Sequence, residues 1–305
     1  MVRAIDIARA VEKFAPLSTQ VEWDNSGFSV GDPQAVVHKV LIALNCTLDV
    51  VEEAVEQNCD MILTHHPLIF GGCRSVLYNN VCFVDGNDDS ASRASASASG
   101  FSESLQGRSI AMAIKNNITI YSSHTPLDKA RGGLNDLMAK RLNLQNCKVL
   151  SSDGFGVIGT LKTVGTLKGN SGEKAEKGMN SEEFIKFVKK QFGLKYLRCS
   201  KPIGYSMTIG GKIATAAGKI TKVAVSSGSG QGSAEDAIAA GAQALVTADV
   251  SHHNFYQPEG FMILDIGHFE SEWEAVALLE SIVKKNFSKF AVSLSKRDKS
   301  PIYHF

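Results

Sequence analysis

The chain alternates short β-branched runs with amphipathic windows, and that alternation leaves few folds open to it. Apolar runs of strand length lie at 39–45, 61–64, 118–122, 157–162, 222–226, 244–247 and 261–265. Between and around them, apolar residues at helical spacing mark 5–14, 48–56, 134–142, 181–192, 234–240 and 272–285. Strands and helices in alternation predict an α/β architecture with largely parallel strands. Ser181-Glu-Glu and Ser233-Ala-Glu-Asp read as helix starts, with serine as the N-cap and acids in the first turn.

With 305 residues the chain has apolar surface enough for two domains, or one large α/β unit, without disulfides. Its six cysteines form no C-x-x-C pair and no zinc-finger spacing, which fits reduced thiols. A formal charge of +1 offers no field for nonspecific attraction to nucleic acid or an anionic membrane, so no direct nucleic-acid binding is expected. The first residues carry Asp6 and Glu12 and lack a continuous apolar core, unlike a secretory or transit segment. No apolar stretch approaches the roughly 18 residues a membrane span requires. The expected location is the cytoplasm, with a nuclear or mitochondrial pool also compatible.

Two stretches break the pattern. Residues 86–107 are rich in Ser and Ala and read as a flexible surface insertion, with Ser95 two residues after Arg93 as a conceivable kinase site. Residues 165–178, rich in Gly, Lys and Glu, read as a loop.

The chemistry concentrates where apolar runs end. Met61-Ile-Leu-Thr-His-His-Pro-Leu-Ile-Phe70 places His65 and His66 at the end of one run, and Ile120-Tyr-Ser-Ser-His-Thr-Pro-Leu-Asp128 repeats its pattern. Ligands collect at the carboxyl ends of strands in open α/β sheets, so both segments are candidates to face one crevice. Asp265-Ile-Gly-His-Phe-Glu-Ser-Glu272 adds His268 and Glu272, four apart and therefore on one side of a helical turn. Imidazole nitrogen and carboxylate oxygen together suit zinc, manganese, iron or cobalt better than calcium or magnesium. Two adjacent imidazoles can each reach a different ion, and a carboxylate between the ions would hold the pair. Each piece also has a bland reading. A histidine pair is commonly structural, a helical His/Glu pair commonly faces solvent, and His-Thr-Pro-Leu-Asp could be a turn alone. It is the three together that point to a metal site.

These residues give the chain a family likeness. It resembles the NIF-three-like family, some of whose members carry the name GTP cyclohydrolase 1 type 2. The landmarks are Trp23-Asp-Asn-Ser-Gly27, Thr64-His-His-Pro-Leu-Ile-Phe70, Ser123-His-Thr-Pro-Leu-Asp128, Arg131-Gly-Gly-Leu-Asn135, Gly228-Ser-Gly230, Thr247-Ala-Asp249 and Gly267-His-Phe-Glu-Ser-Glu272. The resemblance implies a NIF-three-like fold of two similar α/β domains with a dinuclear metal site in the crevice between them. It implies two divalent ions, one on His66 and Asp128, the other on His65 and His268, with Glu272 touching both. It further implies a toroidal homohexamer. On this reading residues 1–130 form the first domain, 131–270 the second, and 271–305 a C-terminal helix and strand packing back on the first. Ala248 departs from the glycine usual in the family, and the 86–107 stretch lies between two ligand segments.

The remaining motifs allow two readings each. Ser226-Ser-Gly-Ser-Gly-Gln-Gly232 could cradle an anion with its amides or form a tight structural turn. His252-His253 could supply an acid or base beside the metals or be simply exposed. Trp23-Asp24-Asn25 is expected to fix a turn, with Trp23 as a wall. The candidates for a role beside the ligands are His124, Thr247 and His253. The expected function is a metal-dependent hydrolase, GTP cyclohydrolase-like, acting on a nucleotide. The alternative is a non-catalytic metal-binding scaffold with protein partners, including transcription-related ones, and a metal-handling protein is a third reading.

Overall fold

The structure is a computed structural model that describes residues 1–72, 76, 98–162, 178–207, 213–215 and 218–303, with backbone alone at 98–104, 205–207 and 213–215. The chain runs through α1 (Ala4–Phe14), β1 (Gly27–Val30), β2 (Lys39–Ala43), α2 (Leu48–Glu56), β3 (Met61–Thr64), α3 (Ala98–Lys115), β4 (Thr119–Ser122) and α4 (Thr125–Lys129). It continues with α5 (Leu134–Arg141), β5 (Leu144–Val149), β6 (Val157–Leu161), α6 (Ser181–Phe192), β7 (Arg198–Cys199), β8 (Tyr205–Met207), β9 (Ile213–Thr215) and β10 (Lys222–Val225). Last come α7 (Ala234–Ala239), β11 (Ala244–Thr247), β12 (Met262–Asp265), α8 (His268–Glu272), α9 (Glu274–Asn286) and β13 (Ala291–Leu294). The fold is mixed α/β with two main sheets, and it divides into two compact units.

The first unit comprises 1–130 and 275–299. Its sheet has the order β1-β4-β3-β2-β13, parallel throughout except for the antiparallel edge pair of β1 with β4. Parallel strands need both faces covered, and every residue of β3 and β4 is accordingly buried. The core joins Leu41, Val50, Val51, Ala54, Ile62, Ile110, Ala113 and Ile120 from strands and helices. Thr47 caps α2 by accepting the Val50 amide, and an apolar stripe on that helix faces the sheet.

Helix α3 corrects the sequence reading. Residues 98–107 belong to a continuous helix rather than to a flexible insertion, because the stretch runs into a segment whose Ile110 and Ala113 pack in the core. Gln106 adds a side-chain bond to the Leu68 carbonyl at 2.8 Å. Residues 86–97, Ser95 among them, and 165–177 lie outside the described residues.

The second unit comprises 131–274 and 300–305. Its sheet has the order β5-β6-β10-β11-β12-β7. Only β10-β11-β12 are parallel, and the other three pairings are antiparallel, so "largely parallel" holds for the centre of this sheet and not its edges. Phe184 and Val188 of α6 pack with Val223, Val246 and Leu264 on one face, while Ala237, Leu245 and Ile263 pack on the other. The N-cap of α6 is Asn180, not Ser181. The Asn180 side chain accepts the Glu183 amide, and Glu183 accepts the Asn180 amide in return. Ser233 stands at the N-cap of α7 without a side-chain cap, its hydroxyl donating instead to Ser226 Oγ at 3.3 Å. Among the described residues no helix is long and apolar enough to cross a membrane.

A buried carboxylate ties the C-terminal strand to α2. Glu53, 4% exposed, accepts from the Ser295 hydroxyl at 2.5 Å, from the Lys296 and Arg297 amides at 3.0 and 3.1 Å, and from Gln57 Nε2 at 2.9 Å. Burial alone would raise its pKa, but these donors outweigh burial and hold it below the ordinary glutamate value. Glu53→Gln, which sets an amide NH₂ among donors, is expected to cost about 2–3 kcal/mol in urea unfolding. A depressed native pKa means that the stabilisation is complete above the unfolded value near pH ~4.3 and drains away as pH falls through the folded value. The wild-type chain should therefore lose more stability than Glu53→Gln on going from pH 6 to pH 3.

Candidate metal centre

In the first unit, parallel pairing sets the site. Thr64 of β3 stands level with Ser122 of β4, so His65 and Ser123 leave the sheet side by side. The register is reinforced by a bond between the Thr64 and Ser122 hydroxyls at 2.8 Å. The rings of His65, His66 and His124 then gather, with centroid separations of 4.8, 5.1 and 5.3 Å. They offer ligand atoms that all lie within 4.8 Å of one another, as a metal ion requires of a group of donors. Asp128, on the short helix α4, brings Oδ2 to 3.9 Å from His65 Nε2. His65 and Asp128 are buried.

Each imidazole is fixed by an oxygen at Nδ1. His65 Nδ1 meets the Ser123 carbonyl at 2.9 Å, His66 Nδ1 the Asn45 side-chain oxygen at 2.8 Å, and His124 Nδ1 the Asp24 carboxylate at 2.8 Å. All three partners are acceptors, so Nδ1 carries the proton and Nε2 presents its lone pair. That is the tautomer a metal ligand needs.

Asp24 is itself held from several sides. It accepts from Ser26 Oγ at 2.8 Å, the Thr125 amide at 3.1 Å and Thr125 Oγ1 at 2.5 Å. Burial opposes its charge, yet the bonds from His124 and Thr125 prevail and keep the carboxyl far below the usual range. The Trp23-Asp24-Asn25 turn thus anchors His124, and Trp23 lies edge-on to that ring at 5.8 Å while remaining 61% exposed.

The second unit gathers its groups at the carboxyl ends of β10, β11 and β12. Helix α8 starts at His268, and its i,i+4 geometry sets His268 Nε2 2.9 Å from Glu272 Oε2. Asp249, one residue beyond Ala248 after β11, meets His268 Nδ1 at 2.6 Å and accepts the Ser229 hydroxyl at 2.6 Å. Burial resists protonation of His268, but Glu272 and Asp249 outweigh it and push its pKa up to about 9. One imidazole between two carboxylates is a place that favours positive charge.

The loop between β10 and α7 gives four of its amides to protein acceptors, as a structural turn does. The Ser226 amide donates to the Val246 carbonyl at 3.0 Å, Ser227 to Asn135 Oδ1 at 2.8 Å, Gly228 to Ser271 Oγ at 3.0 Å and Gly230 to the Gly228 carbonyl at 2.8 Å. These four amides have no bond left for an anion. Thr247 is committed to the same turn, its hydroxyl donating to the Gly228 carbonyl at 3.2 Å. His253 sits exposed on a 3₁₀ turn, His252–Phe255, edge to face with His252. Asn45, Ser123, Ser229 and Asp249 carry parts in the site that were not assigned from sequence. Ser123, Ser229 and Asp249 lie inside family landmarks that gave them no role, and Asn45 lies in none, because a carbonyl or amide oxygen leaves no motif.

Fold and site together describe a mixed α/β protein that presents histidine and carboxylate groups beyond the ends of parallel strands. The chain belongs to the Duf34/NIF3 (NGG1p interacting factor 3) family, whose profile matches residues 2–82 and 97–301. It is 32% identical over 304 residues to the GTP cyclohydrolase 1 type 2 homolog of Clostridium perfringens, covering 96% of this chain and 97% of that one. The protein of the same name from Clostridium acetobutylicum is 30% identical over 293 residues, covering 94% and 92%. The fold is similar to that of a Staphylococcus aureus hypothetical protein, with TM-score 0.74, 23% identity and 99% coverage of both chains. Reduced HcgD from Methanocaldococcus jannaschii gives a TM-score of 0.70 at 25% identity over 97% of this chain and 98% of that one.

Among the described residues of the second unit, Gly228 makes the tightest steric demand. Its φ is +57°, and a Cβ there would lie 2.2 Å from Glu272 Oε1. Gly228→Ala is therefore expected to displace the Glu272 carboxylate and to destabilise the chain by about 1–3 kcal/mol, measured by denaturant unfolding.

Proposed function

We propose that the protein is a hydrolase working with two divalent metal ions held by His65, His66, Asp128, His268 and Glu272. The observation that carries the reading is the tautomer of the histidines. His65 and His66 each surrender Nδ1 to a neutral oxygen, which leaves Nε2 as the ligand atom, while His268 gives Nδ1 to Asp249 and turns Nε2 toward Glu272. On the family pattern one ion would take His66 and Asp128, the other His65 and His268, with Glu272 shared. Imidazole and carboxylate donors fit zinc, manganese, iron or cobalt. Bound there, such ions supply hydroxide near neutral pH and polarise an electrophile.

The chain's own groups then have distinct tasks. Asn45, the Ser123 carbonyl and Asp249 keep the imidazoles from turning. Buried Asp24 holds His124 beside the two ligand histidines, where it can exchange a proton with a bound substrate. The name shared by the bacterial relatives leads us to propose GTP as substrate. Water would add at the imidazole carbon of the purine and open its carbon–nitrogen bond, and a second water would release that carbon as formate. A homohexamer, the assembly the resemblance implies, completes the proposal.

Elemental analysis of protein loaded with each candidate metal is expected to find two ions per chain. His65→Ala and Glu272→Gln should weaken binding by at least about a hundredfold, since losing a ligand costs more than the 10–100-fold of losing its support. Formate release from GTP should fall with metal content across the same variants. GTP left intact by every metal form overturns the substrate, and protein that takes up no metal overturns the site.

A further inference from the structure

The second unit contains a cavity of about 620 Å³ whose lining includes Asp249 and Gly267, the latter next to His268 in the chain. Asp249 joins cavity and half-site, for it lines the one and accepts His268 Nδ1 of the other. A molecule in this cavity would touch the residue that orients the imidazole. The volume suits a small organic molecule, within the roughly 300–1,000 Å³ common for ligand sites.

The walls say what kind of molecule. Tyr196 and Tyr303 contribute exposed aromatic rings, 58% and 75% accessible, which offer flat faces to a flat ligand. Arg198 also lines the space, but its charge is met by buried Asp265, and its guanidinium rests over the Phe255 ring at 5.3 Å. Asp265 is in turn saturated, accepting the Val250 and Gly267 amides at 3.0 Å each. With that pair cancelled and Asp249 committed to His268, Glu270 is the carboxylate that leaves the lining acidic.

Glu270 is the group with capacity to spare. Its carboxylate lies against Gly267, where a Cβ would come within 2.3 Å of Oε2, and among the described residues no donor engages it. A carboxylate with both oxygens available accepts two parallel N–H bonds, the geometry presented by a ring N–H beside an exocyclic amine. An acidic lining repels phosphate.

We propose that this cavity binds a planar nitrogen heterocycle by an amidine-type edge, with Glu270 as acceptor, the tyrosines as stacking walls and any phosphate kept outside. The inference rests on the hydrolase reading only in taking the cavity to serve the His268 half of that site. It names a specificity residue, Glu270, that the metal ligands do not include.

Calorimetric titration of the full-length, metal-free protein tests it with guanosine, inosine, which lacks the amine, and adenosine, which lacks the ring N–H. Guanosine is expected to bind best, and guanosine monophosphate no more tightly than guanosine. Glu270→Gln should weaken guanosine roughly ten- to hundredfold and erase its preference over inosine, with the thermal unfolding midpoint unchanged. Tyr303→Ala, at an exposed position where folding is not at stake, should weaken it about threefold to tenfold. The inference requires both losses. Equal affinity for guanosine and inosine, tighter binding of the monophosphate, no binding at all, or either variant without effect overturns it. Because no metal is present, these outcomes stand apart from failure of the hydrolase reading, which is decided by metal content and formate release.

Discussion

The candidate site depends first on parallel strand register. In a parallel sheet neighbouring strands end on the same side, and the residue after one strand stands beside the residue after the next. Thr64 opposite Ser122 delivers His65 beside Ser123, and Val246 beside Leu264 delivers Asp249 toward the start of α8. A slip of one residue in either sheet would exchange the faces of every side chain beyond it. The fully buried β3, β4, β11 and β12 make such a slip costly, so the apolar core is also what aims the polar groups.

The second constraint is the orientation of imidazole. A histidine can serve a cation only if one ring nitrogen is free of hydrogen and faces it, and that choice is made by what the other nitrogen touches. The two units make the choice differently. His65 and His66 lean on a carbonyl and an amide oxygen, both neutral, whereas His268 leans on the Asp249 carboxylate with Glu272 on its far side. The neutral supports fix direction, and the charged one adds basicity as well. Asp249 holds its position at φ +51°, a left-handed conformation that aspartate tolerates better than most residues.

Much of this was legible in the chain. Helices 48–56 and 181–192 and strands 61–64 and 244–247 run between the ends that apolar periodicity and turn chemistry mark. Three of the elements that went unread lacked a period. β5 is buried only at Leu144 and exposed along the rest of its length, β7 has two residues, and the Ser/Ala composition at the start of α3 hides a helix that is secured further along. The N-cap of α6 was displaced by one residue because Asn180 and Ser181 are both good caps, and the reciprocal bond with Glu183 decides between them.

The sequence by itself determined the alternation of elements, the two strand-end segments with His65, His66 and Asp128, and the four-residue spacing that joins His268 to Glu272. Those are local properties, written in residue type and interval. Tertiary structure alone decided that Asn45, Ser123, Asp24 and Asp249 are the groups that orient the imidazoles. Each of those contacts joins residues 19 to 100 positions apart, through backbone or side-chain oxygens of common types. Only folding brings them within hydrogen-bond reach.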